Sequence, residues 1–116
     1  MARRTPAPGT PVRGSTSGRP LMAALDLLGR RWSLRVLWEL RAGPLGARAL
    51  LARCRPMSSS VLYERLRELT AAGLVEQDDH GAYILTALGT SLGAAIEPLD
   101  GWARRWAEQQ APHDAG

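Results

Sequence analysis

Between Ala47 and Gly73 the sequence carries two short amphipathic stripes separated by a three-residue break, and this arrangement restricts the possible folds more than any other feature. Ala47, Leu50, Leu51 and Cys54 recur at i, i+3, i+4 and i+7, the spacing of one helix face. Arg55-Pro56-Met57 interrupts that helix. Ser58, a favourable N-cap residue, then opens a second helix in which Leu62, Leu66 and Leu69 face inward, and Ala72-Gly73 supplies a glycine stop. Two short helices joined in this way predict a helix-turn-helix whose second member is available for a DNA major groove.

The flanking segments extend the prediction. Pro20 suits the first turn of a helix carrying Leu21, Leu25 and Leu28, which Gly29 ends. After Arg30-Arg31-Trp32, Ser33 is the expected N-cap of a helix with Val36, Leu37 and Leu40, stopped by Gly43-Pro44. Beyond Gly73, Leu74-Val75-Glu76-Gln77 and Ala82-Tyr83-Ile84-Leu85 are β-prone runs around the turn-forming Asp78-Asp79-His80-Gly81. Thr86 is the expected cap of a last helical region in which Ala95, Leu99, Trp102 and Trp106 share a face. Pro98 should kink or split that region, and Gly89, Gly93 and Gly101 weaken it, so it needs packing to persist. Its two Trp offer more apolar surface than a small monomer normally exposes, which points to a dimer interface. The expected fold class is mainly α with a small β-hairpin wing: a winged helix-turn-helix whose terminal helices form a homodimer.

A chain of 116 residues fits one domain with tails, and with four Trp, two Tyr and no Phe its core must be aliphatic. All fifteen basic residues are Arg, set against eleven acids, for a net +4. Located along the chain, that charge is polarised. Residues 1–20 hold four Arg and no acid; residues 21–67 hold nine Arg against Asp26, Glu39 and Glu64, a net +6; residues 68–110 hold two Arg against seven acids, a net −5. A DNA-binding surface should therefore come from the first half. Residues 1–18 read as a disordered basic arm, serving either phosphate attraction or minor-groove insertion or simply as a solvated tail; residues 19–110 read as the folded domain and 111–116 as a flexible tail. One cysteine gives no disulfide framework, the basic N-terminus lacks the apolar stretch of a signal peptide, and no apolar run reaches membrane-spanning length, so a cytoplasmic location without membrane contact is expected.

With Leu62, Leu66 and Leu69 inward, helical periodicity turns Ser60, Tyr63, Glu64 and Arg67 outward. Arg67 suits guanine, Glu64 suits cytosine, Tyr63 offers a ring to a thymine methyl and a hydroxyl to phosphate, and Ser58, Ser59 and Ser60 lie at a helix N-terminus that favours phosphate. The competing reading is a solvated face on which Glu64 pairs along the helix with Arg67. Arg65 lies on the flank of the core stripe, where phosphate contact and a structural salt bridge are both compatible with its position. Arg48, Arg53 and Arg55, with Arg30 and Arg31, are candidate backbone contacts or plain solubilising charges. Leu21, Leu25, Leu99, Trp102 and Trp106 are the candidate dimerisation residues. Cys54, on an apolar stripe, is expected to be a buried inert thiol rather than a sensor. Asp78, Asp79 and His80 are adjacent on a turn and poorly placed to converge on a metal. No catalytic constellation, phosphate loop or metal spacing is present, so neither an enzyme nor a cofactor is expected.

Taken together, the segments Ala24-Leu25-Asp26-Leu27-Leu28-Gly29-Arg30-Arg31-Trp32-Ser33, Gly43-Pro44, Ser58 to Leu69, Ala72-Gly73-Leu74-Val75 and Leu85-Thr86-Ala87-Leu88-Gly89 resemble the HxlR-type transcriptional regulators, from about Pro20 to Trp106. The resemblance implies a homodimeric bacterial regulator that binds double-stranded operator DNA. It departs from the family in three places. Arg19 stands where many members carry a redox-sensing Cys. The short wing is acidic at its tip, with Gln77 where an Arg is common. Ala47 replaces a frequent Phe, and Arg48 is a poor N-cap, which implies a looser third helix. The leading expectation is a sequence-specific DNA-binding repressor acting as a homodimer on a pseudo-palindrome. The alternative is a winged-helix protein-interaction module that does not bind DNA specifically. A small-molecule effector site is expected between the first two helices and the C-terminal region across the dimer, near Trp32, Trp38, Trp102 and Trp106.

Overall fold

The computed structural model describes residues 7–8 and 19–111; the rest of the basic arm and most of the C-terminal tail lie outside them. Five helices and a hairpin follow in the order α1 (Pro20–Leu28), α2 (Ser33–Leu40), α3 (Ala47–Arg53), α4 (Ser59–Ala71), β1 (Val75–Gln77), β2 (Tyr83–Leu85) and α5 (Ala87–Gln110). The strands are antiparallel, with Val75 opposite Leu85 and Gln77 opposite Tyr83. Leu45 adds a further rung through paired backbone hydrogen bonds with Tyr83, of 3.1 and 2.8 Å, which fastens the wing to the segment before α3. This is the winged helix-turn-helix order.

The core is aliphatic. Val36, Leu37 and Leu40 of α2, Leu50 and Cys54 of α3 and its C-cap, Met57, Leu62, Leu66 and Leu69 of α4, and Leu74 and Val75 form one buried cluster with Leu27 of α1. Burying side chains of this kind contributes about 1.5–3 kcal/mol each, and it is this cluster that holds helices too short to persist alone.

The ends of α4 follow from its sequence. At its start the Ser58 side chain accepts a hydrogen bond from the Val61 N–H at 3.3 Å. At its end the N–H of Gly73, whose φ is +82°, donates to the Thr70 carbonyl and that of Leu74 donates to the Leu69 carbonyl, the paired closure that a left-handed glycine permits. Thr86 caps α5 as expected, accepting from the Gly89 N–H at 3.0 Å while its hydroxyl donates to the Gly73 carbonyl at 2.6 Å.

Three expectations are corrected. Ser33 is not the N-cap of α2: the chain reverses one residue earlier at Trp32, whose φ of +78° is left-handed, and Ser33 lies buried in the first turn. Arg48 is likewise inside the first turn of α3, because Gly46 takes the extended capping position. In α1, by contrast, Ala23 and Leu27 face the body and the candidate dimerisation residues Leu21 and Leu25 are exposed, which that role requires. Pro98 does not split the C-terminal region, which runs as one helix of 24 residues.

Candidate nucleic-acid interface

The core stripe Leu62, Leu66 and Leu69 sets the roll of α4, and helical geometry then presents the opposite face to solvent. Ser59, Ser60, Tyr63, Glu64 and Arg67 are all exposed, Tyr63 by 53% despite its size. Ser58 and Ser60 hydroxyls lie 3.3 Å apart at the helix N-terminus. The pairing of Glu64 with Arg67 does not occur: Glu64 makes a long 3.9 Å contact with Arg65, and among the described residues Arg67 has no carboxylate within ion-pairing distance. Its five donors remain available to a ligand.

Arg65 takes the structural alternative. Its side chain is 14% exposed, ion-paired with Glu68 and donating from Nε to the Arg31 carbonyl at 2.9 Å. Glu68 is itself buried and also receives Arg30 of the α1–α2 turn, so Arg30 is withdrawn from the set of phosphate contacts. Sequence reasoning missed Glu68. The available signal was an acid beside the inward stripe with an Arg three residues before it, a spacing that brings the two together on one helix flank.

Arg48, Arg53 and Arg55 are exposed on α3 and the turn that leads into α4. Arg53 is partly engaged, 3.8 Å from Glu39, and its carbonyl accepts from Arg35 at 2.8 Å. The wing is occupied with itself. Asp78 accepts from the N–H groups of His80 and Ala82 at 2.9 and 3.0 Å, and Gln77 donates to the Gly81 carbonyl at 3.1 Å. Its acid is therefore a turn-former, and no group of three or more metal-capable side chains gathers among the described residues.

Cys54 is fully buried, and burial pushes its thiol above the ordinary value of 9.0 against the opposing pull of the Arg35 guanidinium. Among the described residues, the groove that Trp38 lines does not include Trp32, Trp102 or Trp106. Trp38 lines a groove of about 500 Å³ between α2 and α5, with Leu34, Arg41, Leu85 and Ile96. Trp102 and Trp106 instead stack on each other along α5, with centroids 5.8 Å apart and planes within 10°. No helix among the described residues is long and apolar enough to cross a membrane.

Known proteins share this arrangement. The chain is 30% identical over 101 residues to the HTH-type transcriptional regulator YodB of Bacillus subtilis (strain 168), spanning 82% of this chain and 90% of that protein. The crystal structure of quinone-bound YodB superposes with a TM-score of 0.70 at 32% identity, over 73% of this chain and 96% of that one. The reduced form of YodB also gives 0.70, at 29% identity over 78% and 95%. The model of the HxlR-like helix-turn-helix family matches residues 27–111. With its helix order, hairpin wing and exposed second helix, the chain belongs to the HxlR-like helix-turn-helix family of transcriptional regulators.

Proposed function

We propose that this protein is a homodimeric repressor that occludes a promoter by placing α4 of each subunit in successive major grooves of a pseudo-palindromic operator. The observation that carries the proposal is the outward face of α4, where Ser59, Ser60, Tyr63, Glu64 and Arg67 stand exposed on a helix whose opposite face is locked into the core. Arg67 and Glu64 complement guanine and cytosine edges, and Arg48, Arg53 and Arg55 flank the helix as phosphate contacts. The homodimer is supported by the apolar faces of α1 and α5, on which Leu21, Leu25, Leu99, Trp102 and Trp106 are exposed. A small-molecule effector belongs to the same proposal: YodB has a quinone-bound form, and the α2–α5 groove beside Trp38 is roomy enough for a planar ligand of that kind.

The test is fluorescence anisotropy with duplexes selected by the protein from a random pool. Wild type should prefer its selected duplex over a scrambled one, with affinity falling steeply as salt rises. Arg67→Ala and Tyr63→Ala should each weaken the selected duplex by about 10-fold or more, as expected for a lost base contact, while leaving the circular dichroism unchanged. Equal affinity of wild type and both variants for every duplex would overturn this mode of binding and favour the protein-interaction reading.

A further inference from the structure

Two contacts tie α4 to the turn between α1 and α2, and a third, within α4, braces them. Arg30 of that turn and Arg65 of α4 bind opposite oxygens of the Glu68 carboxylate, and Arg65 also donates from Nε to the Arg31 carbonyl at 2.9 Å. The side chains are 9%, 14% and 5% exposed for Arg30, Arg65 and Glu68, so the cluster lies under the surface rather than on it. The next residue of the turn, Trp32, holds a left-handed φ of +78°, a conformation costly for a bulky side chain that persists only where its surroundings impose it.

This cluster is a poor investment as a source of stability alone, because two guanidinium groups and a carboxylate lose most of their hydration, and a packed apolar replacement would serve as well. What it supplies is direction. Leu62, Leu66 and Leu69 hold α4 by contacts that tolerate small rolls and slides, whereas charge-assisted hydrogen bonds to a fixed carboxylate and a fixed carbonyl have defined geometry. The exposed Glu64 and Arg67 are the immediate neighbours of Arg65 and Glu68 along the chain. At a helix radius of roughly 5–6 Å including side chains, a roll of about 10° moves a side-chain tip by about 1 Å. That is enough to spoil a bidentate contact to a base edge.

We infer that Glu68, clasped by Arg30 and Arg65, is a positioning residue for DNA recognition: it fixes the roll of α4 against the α1–α2 turn and thereby sets sequence discrimination rather than general affinity for DNA. The inference rests on the DNA-binding reading above.

The experiment compares wild type with Glu68→Gln, which removes the charge, and with Arg30→Met/Glu68→Gln, which removes the buried pair without leaving Arg30 uncompensated while keeping an acceptor for Arg65. Each is titrated with the selected and the scrambled duplex, and amide exchange along α4 is followed without DNA. The double variant should remain folded and bind the scrambled duplex within about 2-fold of wild type. It should lose about 10-fold of its preference for the selected one, with faster exchange confined to α4 and the α1–α2 turn. Unchanged discrimination in a folded double variant overturns the inference, as does a double variant that fails to fold, since the cluster is then only a structural support. A wild type without sequence preference removes the DNA-binding reading itself, and the inference falls with it; the two failures are distinguished by the wild-type titration.

Discussion

At the scale of single residues, similar side chains in this molecule do opposite jobs. Arg65 and Arg67 are two positions apart on one helix, yet the first is turned into an ion-paired cluster and the second reaches solvent unpaired by any carboxylate among the described residues. Helical rotation of about 100° per residue suffices to separate them, and exposure rather than charge decides which can contact a ligand. Cys54 shows the same control by environment. Its sulfur is buried in the aliphatic core and burial raises its pKa, so little thiolate exists near neutral pH. Alkylation of the folded protein at pH 7 should proceed much more slowly than that of the unfolded chain, by about 10-fold or more, followed by mass spectrometry with and without denaturant. The raised value also has a consequence for stability. The unfolded chain releases the thiol proton first, so the thiol's contribution is complete below the ordinary value of 9.0 and is lost as pH rises through the higher folded value. Rapid alkylation of the native protein would show that Cys54 is reached by solvent and reopen a sensing role.

At the scale of elements, α5 poses the sharpest question, since its composition opposes helix formation and its 24 residues form an unbroken helix. Its glycines answer part of it. A Cβ on Gly89 would lie 2.1 Å from the Leu74 carbonyl oxygen, so glycine there is what lets the capped start of α5 press against the strand-leading segment. Gly93, one turn on, meets nothing within 4 Å. Gly89→Ala should therefore destabilise the fold by about 1–3 kcal/mol through overpacking, while Gly93→Ala should stabilise it by up to about 1 kcal/mol through helix propensity; denaturant melts measure both. Equal effects at the two sites would refute the close approach. Most elements were legible because periodicity and punctuation agreed: the α3 and α4 stripes, the Ser58 and Thr86 caps, and the Gly73 stop. The failures were local. Ser33 lies inside α2 instead of capping it because Trp32 takes the left-handed turn before it, and nothing in the sequence marks a Trp for that conformation. On α4 the exposed residues followed from the core stripe, whereas the Glu68 cluster did not, because burial of an acid depends on an Arg 38 residues away.

At the scale of the whole molecule, charge is polarised along the chain. The +6 of residues 21–67 includes the exposed Arg of α3 and α4, whereas the −5 of residues 68–110 accompanies the wing and α5. In the proposed mode of binding, a DNA duplex would be drawn to the exposed Arg of α3 and α4, away from the acidic wing. On α5, Leu99, Trp102 and Trp106 are 54%, 52% and 55% exposed, and the stacked indoles present a broad apolar plate on a helix with little intrinsic propensity of its own. Docking of this plate against a second copy would both hide it and hold the far half of α5 in helical form. Trp102→Ser/Trp106→Ser should consequently convert a dimer into a monomer in light scattering. Because the indoles are half exposed, the helix-turn-helix core should keep its near-native circular dichroism while signal is lost from the end of α5. The same variant should bind a single half-site about as well as wild type and lose its advantage for the paired operator, since two linked contacts have become two independent ones. A double variant that remains dimeric and retains the full operator preference would place the subunit interface elsewhere, with α1 and its exposed Leu21 and Leu25 the next face to alter.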